Sequence, residues 1–154
     1  MRLDPLFRAL VYAVFAVLVV SGAVWFAAEQ MKESPDDMQF KSITATMLMI
    51  HGGAAMIALM AIGALVPMHM YRGWRARMNR VTGALVGTLN TLLIVTAFAL
   101  YYIGSEALRP WISDLHLVVG AAIPIFLILH IWWGRSARVI REQEARRRVA
   151  ERAS

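Results

Sequence analysis

Four histidines are the side chains whose type and spacing invite chemistry: His51 and His69 stand 18 residues apart, His116 and His130 stand 14 apart. Neutral imidazole ligates transition metals, relays protons or hydrogen-bonds, and in an apolar medium it is costly unless it does one of these. On an α-helix, at about 100° per residue, 18 positions complete five turns and 14 end about 40° short of four, so each pair is expected on one helix face. At a rise of about 1.5 Å per residue, the pairs would be separated by about 27 Å and about 21 Å along their helices. The chain has no cysteine. That excludes disulfides, thiolate zinc sites, iron–sulfur clusters, a cysteine nucleophile and covalent c-type haem attachment, and leaves His, Met or carboxylates to hold any metal. No Gly-rich phosphate loop, Gly-x-Ser-x-Gly elbow or His-Glu-x-x-His occurs either, so nucleotide-driven and hydrolytic chemistry have no motif.

The elements that must position these histidines are membrane spans. Of 154 residues, 59% are hydrophobic and 17% charged, and the mean hydropathy is +0.56, outside the range of an ordinary soluble domain. Charge-free stretches cover residues 9–28, 42–71, 81–105 and 115–134. Each is long enough for a helix to cross about 30 Å of hydrocarbon, and none has the short alternation of a closed barrel. The expected fold is an all-α integral membrane four-helix bundle over residues 1–135, with spans at about 9–28, 43–70, 81–104 and 114–134. A basic tail of residues 136–154 follows. The first apolar run is too long for a signal-peptide core and closes on no clear small-x-small cleavage site, so it is read as a helix.

The segments between spans alternate in sign. Residues 1–8 carry +1, 29–41 carry −2, 72–80 carry four arginines and no acid, 106–114 carry −1, and 135–154 carry seven Arg against three Glu. By the positive-inside rule both termini and the middle loop face the cytoplasm in a multi-pass protein. The net charge of +6 is then topology, and no nucleic-acid partner is expected. Trp25 and Trp111 would mark the outer interface, and Trp74 and Trp132 the inner one.

All four histidines fall in the second and fourth apolar stretches, which run in the same direction. Counted from the first inner arginine of each, His51 matches His116 in depth and His69 matches His130, to within two residues or about 3 Å. Two bis-imidazole sites, outer and inner, are geometrically allowed, and two b-type haems suit them. A flat macrocycle needs small neighbours: Gly52, Gly53 and Ala54 follow His51, while Gly73, Gly120 and Gly134 each lie one turn after a histidine. The Gly83-x-x-x-Gly87 pair reads as helix packing. Pro67 beside His69 is expected to end or bend its helix, and Pro124 between His116 and His130 to kink the fourth helix and change their relative angle. A Met replacing His69 as axial ligand stays open. Haem propionates would find Arg109, with Trp111 and Ser113, or Lys41 on one side, and Arg72, Arg75, Asn79 and Arg80 on the other. The competing readings are histidines that merely hydrogen-bond between helices in a haem-free membrane anchor, and a proton carrier, for which no acid lies within a span.

With these ligands and the segment Thr96-Ala97-Phe98-Ala99-Leu100-Tyr101-Tyr102 leading to Arg109 and His116, the chain resembles the small four-helix di-haem b-type cytochromes of bacterial membranes. These are the cytochrome b561-like and the hydrogenase- or formate-dehydrogenase-associated subunits, and the resemblance covers residues 5–135. The 14-residue step from His116 to His130 is similar to the ligand spacing of respiratory cytochrome b, whereas the 18-residue step from His51 to His69 departs from it. The resemblance implies a bacterial inner-membrane subunit of an oxidoreductase complex. Its His51, His69, His116 and His130 would ligate iron, and it would pass electrons between a quinone and a peripheral or soluble redox protein.

Overall fold

The computed structural model describes residues 4–32, 38–77 and 79–153, and every regular element among them is helical. Helix α1 spans Pro5–Gln30 and α2 spans Met38–Leu65, continued by a π-helical turn at Val66–Met70 and a short α3 at Tyr71–Arg75; α4 spans Arg80–Tyr102 and α5 spans Arg109–Ala153. Four stretches are long and apolar enough to cross a membrane: Pro5–Gln30, Met38–Arg75, Arg80–Tyr102 and Arg109–Ala137. The chain is therefore an all-α protein with four membrane-capable helices.

Local chemistry explains the helix ends. The Asp4 carboxylate accepts from the backbone N–H of Leu6 at 2.9 Å and of Phe7 at 3.2 Å, and Pro5 occupies the first turn, where a missing N–H costs nothing. Pro67 has no N–H to donate, so the ladder slips to a wider turn in which the Tyr71 N–H reaches the Val66 carbonyl five residues back. Between α3 and α4, Arg77 and Asn79 adopt positive φ of 52° and 47°. The Arg80 guanidinium donates to the Trp74 carbonyl through Nε at 3.0 Å and Nη2 at 2.7 Å, and lies 5.1 Å from the Trp74 ring centre. Helix α4 stops at Tyr102, two residues before the expected span end, because Ile103 turns extended ahead of Gly104. Pro124 is accommodated within a continuous α5.

The helices pair into two compact hairpins, one within residues 1–72, where α1 packs on α2, and one within 73–154, where α4 packs on α5. Their packing is inverted relative to a water-soluble protein. Most of the buried positions are small or hydroxylic, such as Ala28, Ala54, Ala58, Ala61, Ser21, Thr44 and Thr96, while Leu6, Met49, Met60, Val118, Ile125 and Ile128 are exposed. Small residues let helices approach, and large apolar ones face a medium as apolar as themselves, which is the pattern of helices in lipid. On α1 the inward stripe is Val11, Val14, Ser21 and Ala28; on α2 it is Thr44, Ala54, Ala58 and Ala61, with His51 one turn before Ala54. On α5, the buried Val119 and Ile123 lie between His116 and His130.

Candidate functional site

Three of the four histidines are built the same way. In the first hairpin the Ser21 hydroxyl of α1 lies 3.0 Å from Nδ1 of His51 on α2. In the second, the Thr96 hydroxyl of α4 lies 2.8 Å from Nδ1 of His116 on α5, and the Thr82 hydroxyl lies 3.0 Å from Nδ1 of His130. All three imidazoles are half-buried. Each hydroxyl also contacts carbonyls of its own helix: Ser21 donates to Val17 at 2.6 Å with Leu18 at 3.2 Å, Thr96 to Leu92 at 2.8 Å with Leu93 at 3.1 Å, and Thr82 to Asn79 at 3.3 Å. Ser21 and Thr96 are only 2% and 5% exposed, so these bonds form where water does not compete. The groove beside Ser21 is otherwise lined by the apolar Ala16, Val17, Val20, Met47 and Ile50.

The second hairpin repeats this unit. Thr82 and Thr96 are 14 residues apart on α4, as His116 and His130 are on α5, and the antiparallel register brings Thr96 to His116 and Thr82 to His130. Both imidazoles of α5 thus face α4, as the 14-residue spacing requires.

Glycines make room for two of the rings. A Cβ at Gly22 would stand 3.4 Å from Cε1 and 3.6 Å from Nδ1 of His51, and one at Gly83 would stand 3.7 Å from Cε1 of His130. Gly83, read from the sequence as a helix-packing residue, therefore packs against a histidine. Each follows the hydroxyl residue directly, as Ser21-Gly22 and Thr82-Gly83; Thr96 is followed by Ala97. Ser21, Thr82, Thr96 and Gly22 escaped the sequence reading, which weighed histidines, methionines, basic residues and other glycines. The one signal for them was the Thr82-to-Thr96 interval, equal to that between the histidines.

His69 is different. It lies on the π turn Val66–Met70 and is exposed. A π turn holds one more residue than an α turn, so positions beyond it are turned back by up to about 100°. His69 lies within this turn, so its 18-residue interval from His51 does not close on five whole α-helical turns.

The other residues singled out from the sequence have these positions. Arg109 is exposed and its Nη1 donates to the Leu100 carbonyl at 3.0 Å, tying the end of α4 to the start of α5. A Cβ at Gly120 would stand 3.8 Å from Leu93 Cδ2, so this glycine faces α4. A Cβ at Gly134 would stand 3.0 Å from Asn79 Nδ2, and Gly53 is open. Arg72 is exposed on α3. Among the described residues no three or more His, Asp or Glu side chains gather as they would around a metal ion; axial ligation of a haem asks for only two imidazoles. The donor set suits such a group, since three imidazoles are each held through Nδ1 by a hydroxyl of the neighbouring helix.

Compared with models of protein families, with curated proteins and with solved structures, the chain matches none.

Proposed function

We propose that the chain is a b-type cytochrome that carries electrons across or into the bilayer, as the membrane subunit of an oxidoreductase complex working between a quinone and a peripheral or soluble redox protein. The observation that supports this most directly is the repeated unit of a half-buried imidazole held at Nδ1 by a buried or half-buried hydroxyl of the neighbouring helix. Metal-bound histidines characteristically use their second nitrogen in this manner. His51 and His116, matched in depth by sequence, would ligate one haem b, and His130 with His69 the other. Such a group supplies reversible one-electron storage at its iron.

The chain's own residues do the rest. The hydroxyls orient the rings; Gly22 and Gly83 let them approach the helix opposite; Val119 and Ile123 keep water from the stretch between His116 and His130. Gly120 offers small volume one turn beyond His116, and Arg72 and Arg109 are the cations for anionic propionates. Arg109 already donates to Leu100 through Nη1, which leaves the other guanidinium donors for this task. The arginine distribution supports a bacterial inner-membrane topology with both termini in the cytoplasm.

The same three hydrogen bonds favour a second reading, a haem-free anchor that seats a partner complex and uses Ser/Thr–His bonds to clasp its hairpins. A reduced-minus-oxidised visible spectrum of protein purified from haem-sufficient cells separates the two. The cytochrome gives b-type absorption that His51→Ala, His116→Ala and His130→Ala each diminish; no absorption leaves the anchor.

A further inference from the structure

The position of one proton at each histidine follows from hydrogen-bond arithmetic. A hydroxyl has one hydrogen and two lone pairs. At Ser21 and Thr96 that hydrogen is directed to the helix's own carbonyls, at 2.6 Å and 2.8 Å. Were it turned to the imidazole, oxygen lone pairs would face each other at those distances in a buried, poorly screened place. The hydroxyl must therefore accept on its other side, and an imidazole nitrogen that meets an acceptor must carry N–H.

We infer that Ser21, Thr96 and Thr82 are positioning residues whose hydroxyls accept from Nδ1–H of His51, His116 and His130, fixing Nε2 as the nitrogen that carries the lone pair. Which nitrogen is protonated follows from geometry within each hairpin; the bearing on a bound haem rests on the function proposed above. The three are graded. Thr82 sits in the first turn of α4, its bond to the Asn79 carbonyl is 3.3 Å long, and that carbonyl also accepts from Gly83 N–H at 2.9 Å. Its hydrogen is the least firmly committed, so His130 is held less tightly in one tautomer than His51 and His116. An Nδ1–H donor also makes Nε2 more basic, so each hydroxyl strengthens ligation through Nε2 and favours the more highly charged ferric iron.

The test is 15N NMR of the histidine-labelled full chain in detergent micelles, prepared from haem-limited cells, beside haem titration of the same proteins. Three imidazoles are expected with a protonated Nδ1 and an unprotonated Nε2. Thr96→Val abolishes this state at one ring and lowers haem affinity about 10–100-fold, and Thr96→Ser restores both. The midpoint potential of the haem held by His116 moves positive in Thr96→Val, by about 59 mV per tenfold shift in ferric-to-ferrous preference. Protonated Nε2 at these rings in the unmodified chain, or a folded Thr96→Val with its histidine signals unchanged, overturns the inference. If Thr96→Val does not fold, the unmodified spectrum and Ser21→Ala, which must release one ring, decide it. Protonated Nδ1 in a chain that takes up no haem defeats the proposed cytochrome and leaves the assignment of the hydroxyls standing.

Discussion

Glycines in one protein separate cleanly by what a single methyl group would meet. At Gly22 it would press on His51 at 3.4 Å, whereas at Gly53 it would meet nothing within 4 Å. Gly22→Val is accordingly expected to push the ring from Ser21 and destabilise the first hairpin by about 1–3 kcal/mol, the cost of overpacking a fitted contact. Gly53→Ala should be neutral or stabilising by up to about 1 kcal/mol through helix propensity alone. Thermal unfolding in detergent compares the two directly; equal effects would mean that the ring does not rest on Gly22. These positions are two of the ten glycines and carry no mark in the sequence that tells them apart.

Helix ends and interruptions carry their own consequences. The Asp4 cap is exposed, and Asp4→Ala should cost about 1 kcal/mol, the usual loss for an N-cap with two backbone donors to satisfy. It should fray the first turn of α1 without touching the Ser21–His51 bond, as amide exchange would report. At Pro67 the π turn resets the phase of everything that follows it. Because the chain contains no cysteine, single cysteines placed from Ile62 to Arg72 can be labelled against a clean background. Their accessibility should follow a helical period that breaks across Val66–Met70 and becomes continuous in Pro67→Ala. An unbroken period in the parent chain would mean that no wider turn shifts His69 in phase against His51. The proline was legible as a disturbance, but a proline can end, kink or widen a helix, and only the Tyr71-to-Val66 bond selects the last.

At the scale of the whole molecule, two hairpins that bury alanines and hydroxyls with a few Val and Ile, and turn many large apolar side chains outward, meet the demand that lipid makes. The basic segments predict that reporter fusions after Arg77 and at the C-terminus are cytoplasmic, and that fusions within residues 33–37 and after Glu106 are exported. Activity of the opposite kind at any of these points reverses the topology. Helix α5 extends to Ala153, well past the apolar stretch that ends at Ala137. Truncation after Ala137 should leave the Thr96–His116 and Thr82–His130 pairs intact, and haem content with them.

The sequence by itself determined the class and the spans, because lipid imposes a single coarse rule, about 20 apolar residues per crossing, that composition satisfies or fails without reference to any neighbour. It also gave His116 and His130 the 14-residue spacing of a common face, but with Pro124 between them only the structure showed the helix to be continuous. It did not single out Ser21, Thr82 or Thr96. A serine in α1 and two threonines in α4 look like ordinary hydroxyls returning a hydrogen bond to their own helix, and they do that as well. Their second bond depends on the antiparallel register of each hairpin, and register is decided when alanines, glycines and hydroxyls on two helices settle into contact. The setting of His69, exposed on a wider turn, likewise needed the structure, because one missing N–H at Pro67 can be absorbed in several ways and only the backbone hydrogen bonds show which.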